Sequence, residues 1–196
     1  MVKKTIIFFC ILLLAVATAE GRAAAEPKPP LSAGGFTLGT SIKNYDFISE
    51  EDPLKEVIIN DIKGFRKGFV TYGVCDRPGE IVRIKLKYKD RSSDFFEQLL
   101  KQYKKKFGSK PKFIGDSFGN LKAWKWAFTG GDGKRITLIL QHNLKDADES
   151  MGNMVKLSLP DQLISERECS DNEKSQARRG DKDESIKADW DLLLPE

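Results

Sequence analysis

Residues 82–107 constrain the fold of this chain more than any other stretch. Val82, Ile84, Leu86 and Tyr88 alternate with Arg83, Lys85, Lys87 and Lys89. A period of two places four apolar side chains on one face of a strand and four cations on the other. Ser92, Ser93 or Asp94 then offers an N-cap for a helix over 93–107, where Phe96, Leu99, Leu100, Tyr103 and Phe107 recur at spacings of three and four. Gly108 can end that helix in a left-handed conformation, and Pro111 prevents its resumption. A strand with one apolar face, followed directly by a helix with one apolar stripe, predicts a helix lying across the apolar face of a sheet.

The flanking sequence supplies the rest of the sheet. Val57, Ile58 and Ile59 open a β-rich stretch that runs through Phe65, Phe69, Val70 and Tyr72 to Val74, and Asp76-Arg77-Pro78-Gly79 has turn chemistry. Strands are predicted over 121–128, 135–141 and 154–159, the first two joined by the glycine-rich hairpin 129–134. The fold class is therefore α+β: an antiparallel sheet of five to six strands with one main helix on one face. A Pro-rich leader over 26–34 (Pro27, Pro29, Pro30) precedes this single domain, placed at 35–164. From 165 to 196 ten acidic and six basic residues follow without apolar period, which reads as a charged, flexible tail ending in Trp190 and Leu192 to Leu194.

The chain starts with Lys3 and Lys4, an apolar run from Thr5 to Val16, and the small residues Ala17, Thr18 and Ala19. That order is a secretory signal peptide, and the run is shorter than the roughly 20 residues of a membrane span. Cleavage can follow Ala19 or the second cluster Ala23 to Ala25, preferred because Glu26 and the prolines come next; the signal is assigned to 1–25. The expected location is periplasmic or secreted, with no transmembrane span after cleavage. Cys10 leaves with the signal, so Cys75 and Cys169 remain where thiols oxidise. They are expected to pair, two separate thiols being the alternative.

Catalytic signatures are sparse. His142 is the only histidine, which excludes histidine triads and multi-histidine metal sites. The run Gly130 to Lys134 lacks P-loop spacing and reads as a turn. Asp146, Asp148 and Glu149 suit calcium by chemistry, but Met151 stands where an EF-hand loop needs glycine. No catalytic residue, metal or cofactor is assigned. The chain is expected not to be an enzyme, a periplasmic glycan-directed enzyme using carboxylates alone being the alternative.

Charge points to binding. Residues 81–135 hold fifteen Lys or Arg against five Asp or Glu. Arg83, Lys85, Lys87 and Lys89, with Lys122 and Lys125 on a neighbouring strand, are candidates for an anion-binding face. Export removes nucleic acid from the possible partners and leaves a protein or an anionic envelope component. Trp124, Trp126 and Phe128 share one strand face; they pack in the core if the helix covers them, and form an exposed aromatic platform if it covers the alanine side. The tail carries net −4 against +6 on residues 26–164, so it could fold back over the basic face.

The order of features has a parallel. Gly35-Phe36-Thr37-Leu38-Gly39, a hairpin ending in an alternating strand, a helix ending Lys106-Phe107-Gly108-Ser109-Lys110-Pro111, and a Trp-containing strand resemble small secreted bacterial domains of the outer-membrane-assembly lipoprotein and β-lactamase-inhibitor-protein type. The resemblance covers residues 35–160 and implies short helices on an antiparallel sheet and work by protein binding. This chain departs from the lipoprotein type in lacking an acylated cysteine. The expectation is an exported, non-enzymatic binding or assembly module of the bacterial cell envelope.

Overall fold

In a computed structural model of the chain, residues 27–45, 56–60, 62–144 and 151–180 are described. Residues 1–25, expected to be a signal peptide, the stretch with Asp146, Asp148 and Glu149, and residues 181–196 lie outside them. Nine strands and two helices appear in the order β1 (Ser32–Ala33), β2 (Phe36–Thr37), β3 (Glu56–Ile59), β4 (Phe65–Tyr72), β5 (Ile81–Tyr88), α1 (Ser93–Phe107), β6 (Lys112–Phe113), β7 (Leu121–Thr129), β8 (Arg135–Asn143), β9 (Gly152–Ser158) and α2 (Pro160–Gly180). β1 and β2 form a small hairpin, and the other seven make one antiparallel sheet in the order β3-β4-β5-β9-β8-β7-β6. The architecture is the expected α+β class, with more strands than the five to six expected. The two meanders β3-β4-β5 and β6-β7-β8-β9 meet where β9 pairs with β5, so Ile84 sits opposite Leu157 and Leu86 opposite Val155.

The core lies between one sheet face and α1. Ser92 caps the helix by accepting from the Phe95 N–H at 3.3 Å, and Phe96 and Leu100 are buried beneath it. They meet Ile84, Leu86, Tyr88, Leu138, Leu140 and Val155, the inward residues of β5, β8 and β9. The Tyr88 and Tyr103 hydroxyls lie 2.7 Å apart and tie β5 to α1. The turn between β1 and β2 passes so close to the sheet that a Cβ on Gly34, at φ 59°, would stand 2.7 Å from Leu86. Only glycine fits that turn.

Two findings differ from the sequence reading. Val82 was expected beside Ile84, Leu86 and Tyr88. Instead a register shift in the β4–β5 ladder pairs Tyr72 with Ile81 and Thr71 with Arg83. The extra residue of this bulge puts Ile81 in the core and leaves Val82 beside Leu163 of α2. The second difference is α2, which makes residues 160–180 helical where a flexible tail was expected to begin at 165. Its own apolar content does not hold it; tertiary anchors do. Arg135 donates to the Asp161 carboxylate at 2.8 and 2.9 Å. The Glu166 carboxylate accepts from the backbone N–H groups of Val74 (2.9 Å), Cys75 (3.0 Å) and Arg77 (2.6 Å).

Candidate functional site

The register of the sheet sorts the predicted site residues between its two faces. Directly paired residues share a face, so the ladders define a row Ile58, Phe69, Lys85, Lys156, Ile139, Lys125, Lys112 across all seven strands, on the face opposite α1. The adjacent row places Lys67 opposite Lys87. These positions surround the half-buried Phe69 with cations: the Nζ atoms of Lys67, Lys85 and Lys87 lie 5.4, 5.0 and 4.8 Å from its ring centre. An aromatic face attracts each ammonium, which offsets part of the repulsion between like charges on neighbouring strands.

Of the six predicted cations, Lys85 and Lys87 belong to this cluster. Arg83 is on the same face, one row towards α2, with its Nε donating to Thr71 Oγ1 at 3.3 Å. Lys89 is exposed just beyond the end of β5. Lys125 shares the row of Lys85 but stands three strands away, about 14 Å at the usual strand spacing. Lys122 is not part of the face. Its even position in β7 turns it to the helix side, where its Nζ lies 3.8 Å from Glu97 of α1. Lys67, Phe69 and Lys156 were missed. The alternation of Lys67, Phe69 and Thr71 with Gly68, Val70 and Tyr72 carried the signal for the first two, but Gly64 and Gly68 broke the stretch.

The aromatic trio packs against the helix. Trp126 is 5% exposed and its indole N–H donates to Gly108 O at 3.0 Å. Trp124 meets Phe96 at 5.6 Å, Trp126 meets Tyr103 at 5.9 Å and Phe128 meets Phe107 at 6.1 Å between ring centres. α1 therefore covers this face: Trp126 is core, and Trp124 and Phe128 pack half-buried against it instead of forming an exposed platform. The outer rims of Trp126 and Phe128 still reach an open groove that Lys125 also lines.

Cys75 and Cys169 are joined in a disulfide, with Cα atoms 5.9 Å apart. Together with Glu166 the bridge fastens α2 to the tip of the β4–β5 hairpin. Burial pushes the Glu166 carboxyl up, but the backbone N–H groups of Arg77, Val74, Cys75 and Asp76 outweigh it and hold the group below the ordinary carboxylate value. Glu166 and Asp171 line a small cavity of about 220 Å³ under α2. The hydrogen bonds to Glu166 engage both of its oxygens with backbone donors. Among the described residues the one cluster of metal-ligating types is Cys75, Cys169 and Glu173, whose sulfurs are bonded to each other.

His142 is buried, 1% exposed, and stacked on Phe96 at 5.2 Å. Its tautomer follows from its neighbour. Asn153 donates both Nδ2 protons, to Asp90 O (3.0 Å) and Ser92 O (2.9 Å), so its Oδ1, 2.6 Å from His142 Nδ1, is the acceptor and Nδ1 carries the proton. This chain of bonds joins the start of α1 to β8 and β9. Comparison with known protein families, curated proteins and solved structures finds no match.

Proposed function

We propose that the chain is an exported, non-enzymatic binding module of the bacterial cell envelope that engages an anionic partner through the sheet face opposite α1. The observation that carries this reading is the convergence of Lys67, Lys85 and Lys87 on the ring of Phe69. Three ammonium groups held around one aromatic ring, with Arg83 and Lys156 alongside, concentrate positive potential where carboxylates, sulfates or phosphates gain most. The signal-type N-terminus and the disulfide both suit an oxidising compartment. A partner reached in that compartment is an acidic protein surface or an anionic envelope polymer. Among the described residues no helix is long and apolar enough to cross a membrane.

Retention on a heparin matrix and on anionic vesicles tests this, comparing wild type with a Lys67→Gln, Lys85→Gln, Lys87→Gln variant of equal thermal stability. Three lost contacts should lower the slope of log affinity against log salt by roughly two to three, by analogy with polyanion binding. Equal retention and equal slope for the two proteins would remove the lysine face from the function.

A further inference from the structure

The sheet edge at β7 forms a second surface, separate from the cluster around Phe69. β6 pairs with β7 only at Lys112–Lys125 and Phe113–Trp124. The following chain extends the pairing towards the start of β7, with Ile114 N–H to Ala123 O and Asp116 N–H to Leu121 O, both 2.9 Å. Those bonds settle the parity: odd-numbered residues of β7 turn their backbone groups outward, and even-numbered ones turn them towards β8. Beyond Lys125 no strand among the described residues covers this edge. Ala127 and Thr129 are both exposed there and present outward N–H and C=O groups.

In front of that edge lies an open groove of about 880 Å³. Phe107 and Gly108 at the end of α1 form one wall, Pro27 and Pro29 another, and Trp126 and Phe128 contribute apolar surface. Lys28, Lys110, Lys112 and Lys125 also line it, and among the described residues no carboxylate does. The walls are set in advance, because the Trp126 indole is bonded to Gly108 O and Phe107 packs edge-on to Phe128.

We propose that this groove binds an extended acidic peptide segment of a partner protein, which continues the line of β6 as a further strand beside residues 127–129 of β7. An unpaired edge supplies main-chain hydrogen bonds that only an extended backbone can match, and alternate side chains of an added strand face the apolar wall. The four lysines select the sign of the remaining side chains. They also oppose pairing with a second β7 edge or any cationic strand, since like charges across a strand pair repel. A preformed groove binds without first ordering its own walls.

Fluorescence anisotropy on the full chain with its disulfide intact tests the proposal, using a labelled alternating Glu/Val heptapeptide as probe. The expected result is saturable binding that weakens about tenfold or more when alternate peptide amides are N-methylated, and is absent for a Lys/Val peptide. Ala127→Pro removes one outward N–H at an edge position where proline is tolerated, and should weaken binding similarly. Lys110→Gln with Lys112→Gln should do the same, while Lys67→Gln, Lys85→Gln, Lys87→Gln should not; this separates the groove from the lysine face. In wild type, the peptide should slow amide exchange at Ala127 and Thr129. The proposal fails if the acidic peptide does not bind, if its N-methylated form binds equally well, or if a heparin hexasaccharide binds the groove more tightly. It also fails if the Ala127 and Thr129 amides are already protected in the free chain, because the edge is then occupied from within.

Discussion

Removing the Cys75–Cys169 bridge by the double substitution Cys75→Ser, Cys169→Ser should weaken the protein in two separable ways. The bridge spans 94 residues of chain. The chain-entropy relation assigns a cross-link of that span about 4.5 kcal/mol at 25 °C. Besides the bridge, α2 is held by the backbone hydrogen bonds to Glu166 and by weaker contacts. Ile164 is half-exposed, and the Arg135–Asp161 pair is exposed, a setting in which ion pairs contribute at most about 1 kcal/mol. At 2–4 °C per kcal/mol for a domain of this size, the melting temperature followed by circular dichroism should fall by about 10–15 °C. Amide exchange should also quicken over 160–176 while Leu138 and Leu140, buried in β8, stay protected relative to the new global stability. A melting temperature within about 2 °C of wild type, with unchanged exchange in α2, would refute both the entropic contribution and the anchoring role of the bridge.

Glu166 should give acid sensitivity. Its carboxyl is held below the ordinary value in the folded state, so it contributes stability above the unfolded carboxylate pKa of about 4.3 and loses it as pH falls through the lower folded value. Glu166→Gln should cost about 1–2 kcal/mol at neutral pH and flatten the melting-temperature profile below about pH 4.5; a parallel profile would refute the assignment. Asn153→Ala strands the His142 N–H and removes the side-chain donor to Asp90 O, while Ser92 O keeps the Phe96 N–H, for an expected loss of about 1–3 kcal/mol in a urea melt. In a Trp190→Phe background, iodide should quench Trp124 more than the buried Trp126, which is checked by removing each in turn; efficient quenching of Trp126 would mean that α1 does not cover this face.

The elements with one dominant period were legible. The alternating run over 82–88 and the stripe from Phe96 to Phe107 needed no tertiary information, because each is repeated often enough to outweigh local irregularity. Val82 was misplaced because a bulge breaks the period at one residue without leaving a mark in the sequence. α2 was read as tail because its helix is held by Arg135, by the backbone around Cys75 and by a disulfide, all distant in the chain. The lysine cluster was half legible: Lys85 and Lys87 stood out, but Lys67 joins them only once β4 pairs with β5, and Lys122 leaves them because of its parity on β7.

By itself the sequence determined the α+β class, the strand and helix that frame the core, and the excess of lysine along the middle of the chain; it offered Cys75 and Cys169 for pairing without deciding that they pair. Only the tertiary structure decided that β9 enters between β5 and β8, that α1 covers the tryptophans, and that no strand among the described residues covers the end of β7 beside four lysines. The physical reason is range. Side-chain periodicity is encoded within a few neighbouring residues, whereas strand order and helix docking follow from which apolar faces, among all that the chain offers, can be buried together.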